Sequence, residues 1–378
     1  MANTRQRILL AHHASRGDCL YATAVARQIK TDFPGCHLTW AIGSMCRPIL
    51  DGNPYVDEIW EVPVANYRDI GAAWKKFYPE ALQRKQRGEF SAAFFTQIYP
   101  SNFRNFDGTV RASIFRGYPN PITVPVAPVI RLSAGEVENV RRFAAAHGLV
   151  GHARVIMFEF VANSTQTFIN ADFACEAAKG IVAQWPDCRI VLSSHLPVQS
   201  DDPRIISGSA LSFRENAELT KYCALLIGCS SGITWLCTSD WAKPLPTIQL
   251  LRRGKGVFAS VLHDHEHFGL ATDAIIEMTD CPVEDLVDCI GTVFNDGFAE
   301  AKKTYHVKIP VSFDFHIPNL NVLIKRGEYR HALESVLNIV RRYGIRPAVI
   351  SVAANTIFSI LRVAISRGAA TAFRGNRQ

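Results

Sequence analysis

Four short segments carry residue types that could do chemistry, and three of them follow apolar runs that read as strands. Ser15-Arg16-Gly17-Asp18 separates an apolar run at 7–11 from a helical pattern at 18–31. Gly17 permits a tight turn, and the first amides of a helix have no partner inside it. Asp18 could act there as a general base on a substrate hydroxyl, or simply cap the helix. Spacing alone leaves both open. Gly228-Cys229-Ser230-Ser231-Gly232 follows a second apolar run, and its small side chains would let phosphate oxygens reach amides and hydroxyls. The plain alternative is a tight turn with a serine cap. Ser164, Thr165 and Gln166 follow a third run, with hydroxyls and an amide suited to a diphosphate, or to nothing more than a polar loop.

The fourth segment is His263-Asp264-His265-Glu266-His267. In extended chain, alternate histidines share a face and could ligate zinc. No second ligand cluster matches it, so the expectation is a polar loop over a cleft, with Glu266 meeting a ligand hydroxyl and no metal bound. Arg252, Arg253 and Lys255 could add charge for a phosphorylated ligand, with a solvated loop as the default. The chain has no Gly-Lys-Ser/Thr phosphate loop and no GxGxxG after its first strand, which weakens ATPase and dinucleotide-oxidoreductase readings.

The elements that must position these segments form an α/β series. Strands are expected at 7–11, 37–42, 56–62 and 91–98, then at 154–158, 189–193, 224–227, 245–251 and 274–278. Helices fill the intervals, including 66–87, 133–147 ending at Gly148, 171–184, and one opened by a capping box at Ser212 and Glu215. Residues 101–128 dissolve into Arg, Asn, Gly and Pro, the composition of a long binding loop. Parallel α/β units place ligands beyond the carboxyl ends of their strands, which is where the candidate loops lie. The expected architecture is α/β, with two lobes facing a cleft (1–150 and 151–300) and a helical extension at 301–378. In that extension the helix at 347–367 carries a polar stripe of Ser351, Asn355, Ser359, Arg362 and Ser366. It reads as a helix packed on the two lobes, with a membrane-surface helix as the alternative that Arg367, Arg374 and Arg377 support.

At 378 residues, 48% hydrophobic and 20% charged, the chain is too long for one ordinary domain and too apolar for disorder. Its +7 reads as a mild surplus spread along the sequence, favouring anionic partners. Ten cysteines without CxxC or Cys/His spacing suggest small apolar fillers in a reduced, cytoplasmic protein. Neither a signal peptide nor a transmembrane helix is expected.

These pieces in this order resemble glycosyltransferase family 9, the lipopolysaccharide heptosyltransferase family. The likeness rests on Ile8-Leu9-Leu10 through Asp18 with Ala24-Val25-Ala26, and on Asp51-Gly52-Asn53-Pro54-Tyr55-Val56-Asp57-Glu58-Ile59. In the second half it rests on Phe213 to Leu219 and Gly228 to Leu236, and it spans about residues 7–298. The resemblance implies a GT-B fold of two Rossmann-like lobes and an inverting, metal-independent transfer from a nucleotide-diphosphate sugar, with no other cofactor. Asp18 would deprotonate the acceptor hydroxyl, and Ser230, Ser231 and Gly232 would hold the donor diphosphate together with Ser164, Thr165 and Gln166. Where the family pattern has Asp, His and Lys, this chain has Ser230, Trp235 and Gln166. ADP-heptose is therefore not implied, and Arg252, Arg253 or Arg16, beside Ser15 and Gly17, would supply the missing charge. The expected acceptor is a glycan or glycolipid in bacterial surface-polysaccharide assembly, with peripheral contact at the cytoplasmic membrane face and no nucleic acid. A sugar-nucleotide epimerase or hydrolase on the same scaffold, or a non-catalytic nucleotide-sugar-binding subunit, stands as the alternative.

Overall fold

The computed structural model describes residues 5–162 and 164–375; Arg377 and the side chains of Arg367 and Arg374 lie outside that description. The first lobe is built on Arg7–Ala11 (β1), whose Ile8, Leu9, Leu10 and Ala11 are fully buried. An unbroken apolar run suits a strand covered on both faces, as parallel sheets require. His37–Gly43 (β2) and Glu58–Val62 (β3) follow it, then Ala92–Phe95 (β4). They pair in the order β3-β2-β1-β4, all parallel.

The second sheet has six parallel strands: Val155–Glu159 (β5), Arg189–Ser193 (β6), Ile205–Ser207 (β7), Leu225–Gly228 (β8), Thr247–Leu251 (β9) and Ile275–Thr279 (β10). Their order is β10-β9-β8-β5-β6-β7. The edge strand β7 was not expected; three residues are too short for a pattern to show. All ten cysteines are free thiols, and eight are buried, as small apolar fillers would be.

Residues 101–128 are more ordered than expected. They contain the helix Val110–Phe115, every residue of which but Val110 is buried. The helix Ala134–Ala146 opens on a capping box in which Ser133 accepts from the Glu136 amide, and it closes before Gly148 at φ 61°. Its Val140, Phe143 and Ala144 pack with Val155, Met157 and Leu226, so packing joins this helix to the second sheet although the division at 150 assigned it to the first lobe. Buried Arg214 then ties the lobes by donating to the carbonyls of Pro48 and Asp51 at 2.7 and 2.8 Å while pairing with Glu136.

The C-terminal extension returns to the first lobe. Its hairpin, Ile317–Arg326 and Tyr329–Tyr343, turns at Gly327 with φ 82°. Ser335 Oγ donates to the Phe106 carbonyl at 2.6 Å, and Asn338 to that of Arg104 at 2.9 Å. Arg342 reaches Asp107 at 3.1 Å. The last helix, Pro347–Gly375, packs on this hairpin rather than on the two lobes, which corrects the expectation. By length and composition, Pro347–Ser366 is apolar enough to cross a membrane, also against expectation. Only Val349, Val352 and Thr356 of its twenty residues are buried.

Asp107 is wholly buried between Arg116 at 2.7 Å and Arg342 at 3.1 Å. Burial alone would raise its carboxyl, yet these two cations hold it below the usual range. Removing one member of a buried pair leaves an uncompensated charge, at a cost of about 3–5 kcal/mol. Asp107→Ala is therefore expected to lower stability by that amount in chemical denaturation. A change within about 0.5 kcal/mol, the scatter of ordinary surface substitutions, would show that the extension does not depend on this pair.

Candidate active site in the interlobe cleft

Between the carboxyl ends of the two sheets lies a cleft of about 720 Å³. From the first lobe, Ser15, Arg16, Gly17, Asp18 and Tyr21 line it; from the second, Ser164, Gln166, Ser230, Ser231 and Gly232 do. The loop and the turn that sequence placed at separate strand ends therefore meet across one space.

Asp18 sits in the first turn of the helix Arg16–Asp32, half-buried at the cleft wall. Burial pushes its carboxyl up, opposed by hydrogen bonds from Ser15, whose Oγ donates to Oδ1 at 3.0 Å. A raised carboxyl is a better base near neutral pH than an ordinary one. The loop before it is fixed from below by Gln97. Its Oε1 accepts from the amides of His13 and Ala14 at 2.8 and 3.1 Å, and its Nε2 donates to the Ala14 carbonyl at 2.6 Å. Burial takes the two histidines on that loop, His12 and His13, down to about 3, so both are neutral at ordinary pH.

Across the cleft, the turn's amides are mostly committed inside the lobe. Glu159, at the end of β5, accepts from the amides of Cys229, Ile233 and Thr234 at 3.2, 2.8 and 3.2 Å and from the Thr234 hydroxyl at 2.5 Å. The Ser230 amide donates to Gln249 Oε1 at 2.8 Å. This narrows the amides that could meet a ligand to those of Ser231 and Gly232, beside the turn's serine hydroxyls. Ser230 itself has φ 53°, and a Cβ on Gly228 would come within 2.4 Å of Gln249 Nε2 and of Thr234 Oγ1, so only glycine fits. Gln166 is buried and braces the turn, donating from Nε2 to the Ser230 carbonyl at 2.8 Å.

Three sequence candidates fall elsewhere. Thr165 is exposed and does not line the cleft. Arg252 contributes its backbone amide to the Gln166 carbonyl while remaining exposed outside the cleft. Glu266 lies on the outer side of a helix, Val261–His267, where a loop was expected. Residues two apart oppose each other on a helix, which removes the argument from alternate histidines. His263 and His265 instead bond the carbonyls of Ile309 and Ala271 at 3.0 and 2.9 Å. Among the described residues no cluster of His, Cys, Asp or Glu could hold a metal ion.

The member of that segment that does line the cleft is Asp264, and with it comes a residue that sequence reasoning missed, Arg111. Arg111 is 1% exposed, pairs with Asp264 at 3.3 Å, and makes no hydrogen bond from any guanidinium nitrogen among the described residues. Its charge lies over the rings of Tyr21 at 4.6 Å, Trp235 at 5.3 Å and Phe268 at 5.4 Å. Burial pushes the Asp264 carboxyl up, and Arg111 opposes that shift. Glu159 was also missed, though a carboxylate closing the apolar run Val-Ile-Met-Phe is a signal at a strand's ligand end.

No protein-family model and no curated protein matches this sequence. Solved structures do match. The glycosyl transferase family 9 protein from Veillonella parvula is 14% identical with a TM-score of 0.53, over 79% of this chain and 94% of that one. The E. coli ADP-heptose lps heptosyltransferase II is 12% identical with a TM-score of 0.52, over 77% of this chain and 99% of the other. The chain shares their GT-B fold. On this GT-B frame, two of the three departures from the family pattern have a visible local role. Trp235 packs edge-on against Tyr21, ring centroids 5.0 Å apart, closing the lobe seam, and Gln166 spends its amide nitrogen on the turn. Of the candidate cations, Arg16 lines the cleft, 5.3 Å from the Phe213 ring centre.

Two measurements test how this GT-B site is held. Replacing Arg111 with Met should cost about 3–5 kcal/mol, because Asp264 is left buried and unpaired, while Arg111→Met with Asp264→Asn should recover most of it. Equal losses in the single and double variants, read by denaturation, would show that the pair is not coupled. The second concerns Glu277 on β10, which accepts from Ser260 Oγ at 2.9 Å and the Leu262 amide at 2.9 Å and so seats the Asp264 helix. Burial raises its carboxyl from 4.5 to about 7. A carboxyl raised by folding keeps a proton that the unfolded chain has already released. Its contribution is therefore complete below about 4.5 and lost as pH rises to about 7, on the order of 3 kcal/mol in all. Glu277→Gln should flatten the stability profile across that window, and an unchanged slope would remove Glu277 as its source.

Proposed function

We propose that this chain is an inverting, metal-independent glycosyltransferase that moves a sugar from a nucleotide-diphosphate donor to a hydroxyl of a glycan or glycolipid acceptor. The observation that carries this reading is one cleft with a raised carboxylate, Asp18, on one wall and the Gly228–Gly232 turn on the other. The acceptor hydroxyl would give its proton to Asp18 as its oxygen bonds to the anomeric carbon. The bond from that carbon to the diphosphate oxygen breaks on the opposite face, and the nucleoside diphosphate leaves with the electron pair. Ser230, Ser231 and Ser164 offer hydroxyl donors to the departing oxygens, and Arg16 offers charge, the role preorganised donors play where charge develops.

The shared GT-B fold supports the transferase class. The heptosyltransferase named for E. coli supports, by analogy, a place in lipopolysaccharide or related surface-polysaccharide assembly, which we place at the cytoplasmic membrane face. With Ser230, Trp235 and Gln166 at the donor-reading positions, a donor other than ADP-heptose is the better starting point. Once a panel of nucleotide sugars has identified a donor by thermal stabilisation, Asp18→Asn should lower transfer about 100- to 10,000-fold and leave donor binding intact. Full transfer by that variant would overturn the base assignment. Donor binding with no product across a broad acceptor panel would instead establish a binding subunit.

A further inference from the structure

The final helix divides into three faces at helical spacing. Val349, Val352 and Thr356 are buried against the hairpin, with Ala353, Ile360 and Val363 beside them. A second face is the polar stripe Ser351, Asn355, Ser359, Arg362 and Ser366. The third is apolar and open: Ile350 is 56% exposed, Ile357 52%, Phe358 75%, Leu361 53% and Ile365 71%, with exposed Ala354 between them. Positions 350, 354, 357, 358, 361 and 365 follow the i, i+4, i+7 pattern of one continuous stripe. Monomeric proteins rarely leave so much contiguous apolar surface without a partner.

Charge identifies the partner. Seven arginines and no acidic residue lie between 335 and 378, which equals the whole formal excess of +7; Arg342 is spent on buried Asp107, and the other six remain for a partner. The surplus is therefore not spread along the chain: residues 1–334 are neutral overall. We infer that the helix Pro347–Gly375 docks the protein on an anionic lipid surface, lying in the headgroup plane with Ile350, Ile357, Phe358, Leu361 and Ile365 turned into the acyl boundary. A second copy of the chain would bring the same positive charge against this face. A membrane-spanning placement would push the polar stripe and the hairpin-packed face into hydrocarbon, where neither is satisfied. An apolar stripe of this kind, assisted by basic residues, is what holds interfacial helices to acidic bilayers. The inference does not rest on the transferase reading, because lipid binding is measured without substrate.

The full chain should sediment with phosphatidylglycerol vesicles and bind phosphatidylcholine vesicles about tenfold or more weakly, since each basic residue near an acidic surface contributes its own increment. Ile357→Ser, Phe358→Ser and Leu361→Ser together should reduce binding to the acidic vesicles about tenfold or more with an unchanged unfolding temperature, because these side chains touch little of the fold. A Phe358→Trp chain gives a second reading that leaves the stripe apolar. Its added indole fluorescence should be quenched by brominated phosphatidylglycerol, and alkaline carbonate should release the protein. Recovery of the wild type in the supernatant with acidic vesicles would overturn the inference, as would added fluorescence that the brominated lipid leaves unquenched. Retention through the carbonate wash would overturn the in-plane placement. A stripe-dependent dimer that ignores vesicles would assign the face to a second copy.

Discussion

The arrangement around the cleft depends on one buried guanidinium. Arg111 is shut away from water, with three aromatic rings and a single carboxylate for company. A charge so placed is costly unless it is paired, so each partner must stay where it is. Tyr21 belongs to the helix that carries Asp18, Trp235 to the short helix behind the Ser230 turn, and Asp264 to the helix seated on Glu277. Three elements from two lobes are therefore held around one cation, and the two walls of the cleft face each other as a consequence.

Two buried carboxylates do for the second lobe what Arg111 does for the seam. Glu159 gathers the amides that open the helix Gly232–Leu236, and Glu277 seats the helix Val261–His267. Both are raised by burial and opposed by the hydrogen bonds they accept. The first amides of a helix lack partners inside it, and here the protein's own carboxyl groups accept from them. The donor turn is in this way fixed before any ligand arrives, and the glycine at 228 follows from the crowding of Gln249 and Thr234 behind it.

Much of this is legible in the residues. The strands at 7–11 and 189–193 and the helix at 171–184 have the bounds expected, because long apolar runs and clean 3.6-residue periods leave little choice. Asp18 and Ser230 stand out by their place at strand ends. Arg111 does not, because it sits among Arg, Asn and Gly residues whose composition reads as loop, and its short helix is formed by burial rather than by pattern. In extended chain Asp264 and Glu266 would share a face; the helix Val261–His267 separates them, burying Asp264 and leaving Glu266 exposed. The capacity of Gln166 to brace the turn depends on a contact 64 residues away, which no local pattern encodes.

The extension belongs to the same network as the cleft. Arg342 of the hairpin pairs with Asp107, whose carboxylate accepts from the Thr109 amide at 2.9 Å and the Thr109 hydroxyl at 2.6 Å. Thr109 is the residue from which the helix Val110–Phe115 starts, and Arg111 is its second residue. Phe313, at the root of the extension, lies against Gly108 so closely that a Cβ there would meet its ring at 2.9 Å. The segment that delivers Arg111 to the seam is thus gripped from outside by the hairpin on which the final helix rests. Two lobes are enough to make a cleft. In this chain the third unit also sets the residue around which the cleft is assembled, so the C-terminal helices are part of the site's framework as well as a surface for docking.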